Sequence, residues 1–206
     1  MKNRVYSCPY CATTFSALDE LKTHVVTAHK TQPLPKPEGL IDITVNGQRH
    51  EIKVEPQWTL FQVVHDTLGL TGVKLFCDRG ACGACTVILN GRPILSCMTL
   101  AAACDGAVIE TAEGIAQTDH PIVENYVKHH CMQCGYCTPG FVVTSKALLD
   151  RNPNPSEDDI KHALAGNLCR CGTYPQHTKA VLDTAKELTE GKQEGGQKAV
   201  HREVGK

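Results

Sequence analysis

The spacing of twelve cysteines over 206 residues constrains this chain more than any other feature. Ten fall in groups: Cys8 with Cys11, Cys77 with Cys82, Cys85 and Cys97, Cys134 with Cys137, and Cys169 with Cys171. Cys104 and Cys131 stand apart. The stretch Met1–Tyr10 has no apolar run of the kind a secretory signal needs. Many cysteines without a signal read as metal ligands rather than as a disulfide framework. The absence of a signal gives a cytoplasmic expectation, with periplasmic co-export on a partner's signal as the alternative. The least polar stretch, Ile94–Cys104, is about half a membrane span and contains Ser and Thr, so no membrane insertion is expected. Lys and Arg total 21 against 22 Asp and Glu, which excludes a nucleic-acid binder driven by bulk charge.

Cys77-x4-Cys82-x2-Cys85, followed by Cys97, has plant-type [2Fe–2S] spacing. Three thiolates from one short loop must reach two irons, so the backbone has to fold back tightly. Gly80 and Gly83 permit positive φ there, and the loop can aim N–H groups at sulfur. Such donors offset the negative charge that reduction adds. A zinc ribbon is the competing reading, but it favours two separated C-x2-C pairs. Cys134-x2-Cys137 and Cys169-x-Cys171 sit beside expected helix ends, where two termini can present four thiolates to one site. Spacing alone leaves a second [2Fe–2S] cluster or a zinc ion open at that site.

The head carries Cys8-x2-Cys11-x12-His24-x4-His29, with Tyr6, Phe15 and Leu21 placed for a mini-core. It resembles the Cys2His2 zinc fingers, and Zn²⁺ would supply the folding energy so small a ββα unit lacks. The helix positions that read bases in such fingers are Ala17, Glu20 and Thr23 here, none suited to bidentate base contacts. The finger is therefore expected to contact protein, not nucleic acid.

Between Leu40 and about Glu110 the pattern is strand-like. Ile41, Ile43 and Val45 alternate before Asn46-Gly47, and Thr86–Leu89 precedes Asn90-Gly91. Between these hairpins Thr59 can cap a helix with Leu60, Val63, Val64 and Leu68 on one face. Strands around a helix make an α+β domain. Helical periods follow: Pro121–Cys131, a helix capped by Thr138 and running to Asp150, one opened by Ser156–Asp159, and a last one over about Gln176–Thr189. The expected organisation is a zinc finger over 1–30, a Pro-rich linker over 31–38, a ferredoxin domain over 39–118, a helical domain over 119–190, and a flexible tail over 191–206.

Four segments carry a further resemblance: Thr71–Cys77, Gly80–Val87, Gln133–Gly140 and Gly166–Cys171. In order and spacing they are similar to the small iron–sulfur subunit of the molybdenum hydroxylases, the xanthine oxidase and aldehyde oxidoreductase family. The resemblance covers about residues 39–190. It implies a β-grasp ferredoxin domain followed by a four-helix domain, each with one [2Fe–2S] cluster. It implies that Cys77, Cys82, Cys85 and Cys97 hold an outer cluster. Cys134, Cys137, Cys169 and Cys171 would hold an inner one, beside the molybdopterin of a separate large subunit. Gln133 matches a glutamine that contacts the pterin, and Cys171 the ligand lying against it. After Cys171 the form Gly-Thr-Tyr-Pro looks like the isoquinoline oxidoreductase branch, which often hands electrons to a cytochrome or another carrier instead of a flavin subunit. His177 stands where that family usually has an aliphatic residue, Cys131 where a small residue is usual, and the zinc head lies outside the pattern.

Cys104, ending the small-residue run Ala101–Cys104, reads as a buried thiol, and Cys131 as a spare one. His129 and His130 evoke a Rieske site, but four cysteines already fill it. Arg170, between two ligands, is placed either to offset cluster charge or pair with a cofactor phosphate, or simply to be solvated. No G-x-G-x-x-G and no P-loop is present. The chain thus reads as a non-catalytic electron-transfer subunit of a molybdenum-dependent oxidoreductase. The alternatives are a redox-sensing zinc-finger regulator and a stand-alone two-cluster ferredoxin.

Overall fold

The computed structural model describes residues 5–11, 13–29 and 37–200, with the backbone alone for 191–200. Most of the expected linker, residues 31–36, and the end of the expected tail, 201–206, lie outside the described residues. The chain divides into two compact units, Met1–Leu40 and Ile41–Lys206.

In the first unit, β1 (Tyr6–Ser7) pairs antiparallel with β2 (Thr14–Phe15), and α1 (Leu18–Ala28) follows. This is the expected ββα unit. Its helix has no buried residue, so packing alone supplies little stability.

The second unit starts from a hairpin of β3 (Leu40–Val45) and β4 (Gln48–Lys53). Asn46 and Gly47 both take positive φ, 49° and 80°, as the two-residue turn requires. The same geometry at Asn90 and Gly91 joins β5 (Thr86–Leu89) to β6 (Arg92–Leu95). A short strand, β7 (Val108–Glu110), runs parallel to β3 and antiparallel to β5, giving the order β4-β3-β7-β5-β6. Ile41, Ile43, Val45 and Val87 point into one core with Leu60, Val63 and Val64 of the intervening helix. Thr59 caps that helix as expected: Gln62 N–H donates to its Oγ1 at 3.5 Å, and Thr59 N–H donates in return to Gln62 Oε1 at 2.8 Å. The helix then widens to π geometry over Gln62–Thr67, and Leu68 N–H reaches Val63 O at 3.0 Å.

Next come α2 (Ala112–Gln117), α3 (Pro121–Lys128), α4 (Thr138–Arg151), α5 (Glu157–Leu164) and α6 (Tyr174–Val200). Ser156 and Asp159 form the expected capping box. Helix α3 ends at Lys128 rather than at Cys131, because His130 turns to φ 51°. Helix α6 is longer than its apolar face suggested and runs past Thr189 to Val200. These helices enclose a second core around Tyr126, Phe141, Ile160 and Val181. Val87 of β5 belongs to the first core and Ile88 to the second. Both faces of β5 are therefore covered, which explains its unbroken Val-Ile-Leu run. Among the described residues, no helix is long and apolar enough to cross a membrane.

Candidate metal centres

In the first unit, Cys8 N–H donates to Thr13 O at 2.7 Å and closes the turn that carries Cys8 and Cys11. Helix α1 supplies His24, and His29 caps its C-terminus. The four ligand atoms lie within 4.8 Å of one another, with Cys11 Sγ 3.2 Å from His24 Nε2. The Cys11 thiol is exposed, yet the Thr13 hydroxyl and N–H, joined by His29 and His24, bring it down to about 5. His29 Nε2 is buried and has no hydrogen-bond partner. An orphaned imidazole nitrogen facing two thiols and a second imidazole is the donor set of a tetrahedral zinc site, and the residues fit that ion.

Among the described residues this is the only group of three or more His, Cys, Asp or Glu side chains converging tightly enough for one ion. Cysteines of the second unit meet in pairs instead. Cys77 contacts Cys82, Cys85 contacts Cys97, and Cys137 contacts Cys169, each through the side chains. In the outer group the two pairs match the two thiols per iron of a binuclear cluster, whereas one zinc ion would gather all four; the inner group shows the Cys137–Cys169 pair.

The outer loop is shaped as its glycines require, with φ 74° at Gly80 and 72° at Gly83. Ala81 N–H points at Cys77 Sγ over 3.2 Å. Burial pushes the Cys77 thiol up, but the N–H groups of Arg79, Ala81 and Cys82, with the Cys82 thiol, bring it down to about 7. Cys82, Cys85 and Cys97 are buried, and burial pushes Cys97 up to about 11 and raises Cys82 as well. Burial thus disfavours the Cys82 and Cys97 thiolates, and bound cations would offset that cost. The Cys97 segment is tied to the loop by Ser96, whose hydroxyl donates to Cys85 O at 2.7 Å.

Cys134 and Cys137 occupy the turn before α4, and Cys169 and Cys171 the loop between α5 and α6. Thr138 is the first helical residue rather than the expected cap. Cys137 takes the N-cap position without a side-chain bond, and the Thr138 hydroxyl is buried with no partner. The helix thus starts one residue early, which puts the Cys137 sulfur at the positive end of its dipole. Burial pushes Cys137 up to about 12. Burial acts on Cys169 too, but the Thr173 hydroxyl and N–H, the Cys137 thiol and Gly172 N–H bring it down to about 7. Cys134, Cys137 and Cys169 line a cavity of about 810 Å³ whose wall also includes Cys82 and the exposed Arg170. Gln133, next to Cys134, is exposed, and Cys171, next to Arg170, is half-buried.

The two cysteine groups are joined by backbone. Leu168 N–H donates to Cys82 O at 2.9 Å. Asn167, buried, donates from Nδ2 to Gly83 O at 3.0 Å. A Cβ on Gly83 would lie 2.5 Å from Gly166 O, and one on Gly140 would lie 2.5 Å from Gly83 O. Asn167 and Gly140 lie within the segments Gly166–Cys171 and Gln133–Gly140, but the pattern of those segments gives neither a role. The signal for Asn167 is its place between Gly166, just past the end of α5, and Cys169.

The leftovers pack as expected. Cys104 is in the first core and Cys131 in the second, where burial pushes Cys131 up to about 12. His129 Nε2 lies 2.9 Å from Asp183 Oδ2, and His130 is exposed. In α1, Glu20 accepts from Ser16 and the Thr23 hydroxyl turns back onto Asp19 O.

Residues 43–113 match the family described as "2Fe-2S iron-sulfur cluster binding domain" and 111–182 the family "[2Fe-2S] binding domain". The chain is 41% identical over 159 residues to the nicotine 6-hydroxylase small subunit of Paenarthrobacter nicotinovorans, covering 77% of this chain and 96% of that one. It is 44% identical over 143 residues to the nicotinate dehydrogenase small FeS subunit of Eubacterium barkeri, covering 68% and 91%. Among solved structures it is similar to a chain of quinoline 2-oxidoreductase from Pseudomonas putida 86. That likeness has a TM-score of 0.70 and 38% identity, and it covers 74% of this chain and 96% of the other.

Proposed function

This chain belongs to the small iron–sulfur subunits of the molybdenum hydroxylases, and we propose that it relays electrons between a large molybdopterin-binding subunit and an external acceptor. The observation that carries this reading is the pair of four-cysteine groups, two thiol pairs in the outer one and the Cys137–Cys169 pair in the inner one, joined by the Leu168–Cys82 hydrogen bond. We assign Cys77, Cys82, Cys85 and Cys97 to the outer [2Fe–2S] cluster and Cys134, Cys137, Cys169 and Cys171 to the inner one. When bound, such clusters supply one-electron oxidation and reduction. The chain's own residues hold the thiolates, exclude water by burial, and aim N–H donors at sulfur. Gln133, exposed, and Cys171, half-buried, are proposed to face the pterin, because each directly neighbours a cavity-lining residue in the chain, Cys134 and Arg170 respectively. The acceptor is proposed to be a cytochrome or another carrier, with a flavin subunit as the other option.

Cys8, Cys11, His24 and His29 are proposed to hold Zn²⁺, with the orphaned His29 nitrogen as support. The acidic α1 face of Asp19 and Glu20 suits a protein contact better than a phosphate backbone. The test is purification of the native complex with metal analysis and EPR after reduction. A molybdenum-containing large subunit and two distinguishable [2Fe–2S] signals are expected. One signal only, with zinc in the helical site, overturns the reading.

A further inference from the structure

His177 is fully buried in α6, yet it is a polar ring in an aromatic box. It stacks on Phe141, with ring centroids 4.0 Å apart and planes 6° off parallel, and Tyr126 lies 5.3 Å away. Its one polar contact is Nε2 to Thr173 Oγ1 at 3.1 Å, while Nδ1 is buried without a partner. The same Thr173 hydroxyl lies 3.2 Å from Cys169 Sγ. Thr173 directly precedes α6 and accepts at its carbonyl from His177 N–H at 3.3 Å, so the first turn of the helix brings ring and hydroxyl together.

Protons in this line can be assigned by counting. Burial holds the imidazole down at about 4, so the ring is neutral and carries one N–H. With the hydrogen on Nδ1, a buried donor would be orphaned, and the Thr173 hydroxyl would have to donate to Nε2 and turn away from sulfur. With the hydrogen on Nε2, the ring donates to Thr173 Oγ1, which frees the hydroxyl proton for Cys169. Only a lone pair is then left unpaired, and orphaned buried N–H groups are the rarer case.

We propose that His177 and Thr173 form a donor relay onto the Cys169 sulfur that favours the reduced form of the inner cluster. His177 acts as a positioning residue: it aims the Thr173 O–H at sulfur and touches no ligand itself. The Thr173 and Gly172 N–H groups also help to lower the Cys169 thiol, so the hydroxyl adds to the donors acting on one ligand. A donor at a ligand sulfur stabilises the added electron more than the oxidised state, and the potential rises. This inference rests on the reading of Cys169 as a cluster ligand.

The test is an EPR-monitored redox titration of the intact complex carrying Thr173→Val, Thr173→Ser, His177→Phe and the double change Thr173→Val with His177→Phe. Phe keeps a flat ring against Phe141. Thr173→Val and His177→Phe are each expected to lower the reduced-to-oxidised ratio of the inner cluster roughly tenfold at a fixed solution potential, about 59 mV for a one-electron couple. Thr173→Ser keeps the unaltered value, the double variant shifts no further than Thr173→Val alone, and the outer cluster stays where it was. Unchanged inner potentials, additive shifts, or an equal shift of the outer cluster overturn the relay. So does loss of the inner cluster from both single variants, which would make the two side chains structural. Absence of a second signal from the unaltered complex would instead overturn the reading of Cys169 as a ligand.

Discussion

The Asn167 amide donates to Gly83 O at 3.0 Å while its own oxygen accepts from Thr144 Oγ1 at 3.0 Å. One buried side chain thus links the outer cysteine loop to α4 and to the strand of chain that precedes Cys169. Asn167→Ala removes both bonds, but Gly83 O keeps Thr86 and the Thr144 hydroxyl keeps Gly140 O. The expected cost is therefore about 1–3 kcal/mol, read from the midpoint of denaturant unfolding. Gly140→Ala is expected to cost more. Its new methyl would press on Gly83 O, which Thr86 and Asn167 hold in place.

Cys97→Ala is expected to remove one of the two EPR signals of the reduced complex and spare the other, and Cys134→Ala to do the reverse. Iron content should fall by about half in each. Cys104→Ala and Cys131→Ala should leave both signals and the iron content intact, since both thiols are packed in apolar cores and burial, not a neighbouring thiol, is what raises them.

Metal analysis of the whole chain should return one zinc in addition to iron. His29→Ala should lose that zinc while visible absorption from the clusters is unchanged. Folding of the head depends on the metal because α1 buries nothing, so circular dichroism should lose the helical contribution of this short segment together with the zinc.

The imidazole of His177 sits at about 4 in the folded chain against an ordinary value of 6.5. A folded-state value depressed below the unfolded one means that the unfolded chain takes up the proton first as pH falls. The contribution is complete above about 6.5 and is lost as pH falls toward about 4. Between pH 7 and pH 5 the loss is expected to be about 2 kcal/mol. His177→Phe should flatten that part of the profile of unfolding midpoint against pH.

Much of this architecture was legible because some local geometries admit few residues. Asn46-Gly47 and Asn90-Gly91 occupy positive-φ pairs that most residues avoid, and Ser156 with Asp159 satisfies helix donors within four residues. Cysteine spacing carried the grouping of the ligands for the same reason, since a tight loop limits which thiols meet. What stayed hidden depends on contacts distant in sequence. The π-helical run at Gln62–Thr67 has apolar positions that also fit an ordinary helix. Strand β7 is three residues long, with only Ile109 deeply buried. Asn167 and His177 are polar residues whose burial follows from partners 84 residues away in one case and from Phe141 in the other. Thr138 looked like a cap because Pro139 follows it, but the cysteine turn before it already takes helical dihedrals.

Strand β5 divides its side chains between two interiors, Val87 facing one and Ile88 the other. It also begins one residue after Cys85. A helical half made without this strand would lack a wall, and a sheet half made without α4 would leave Ile88 to water. The two interiors therefore share one wall, and loosening the outer cysteine loop is expected to loosen the helical interior through the pleat of a four-residue strand.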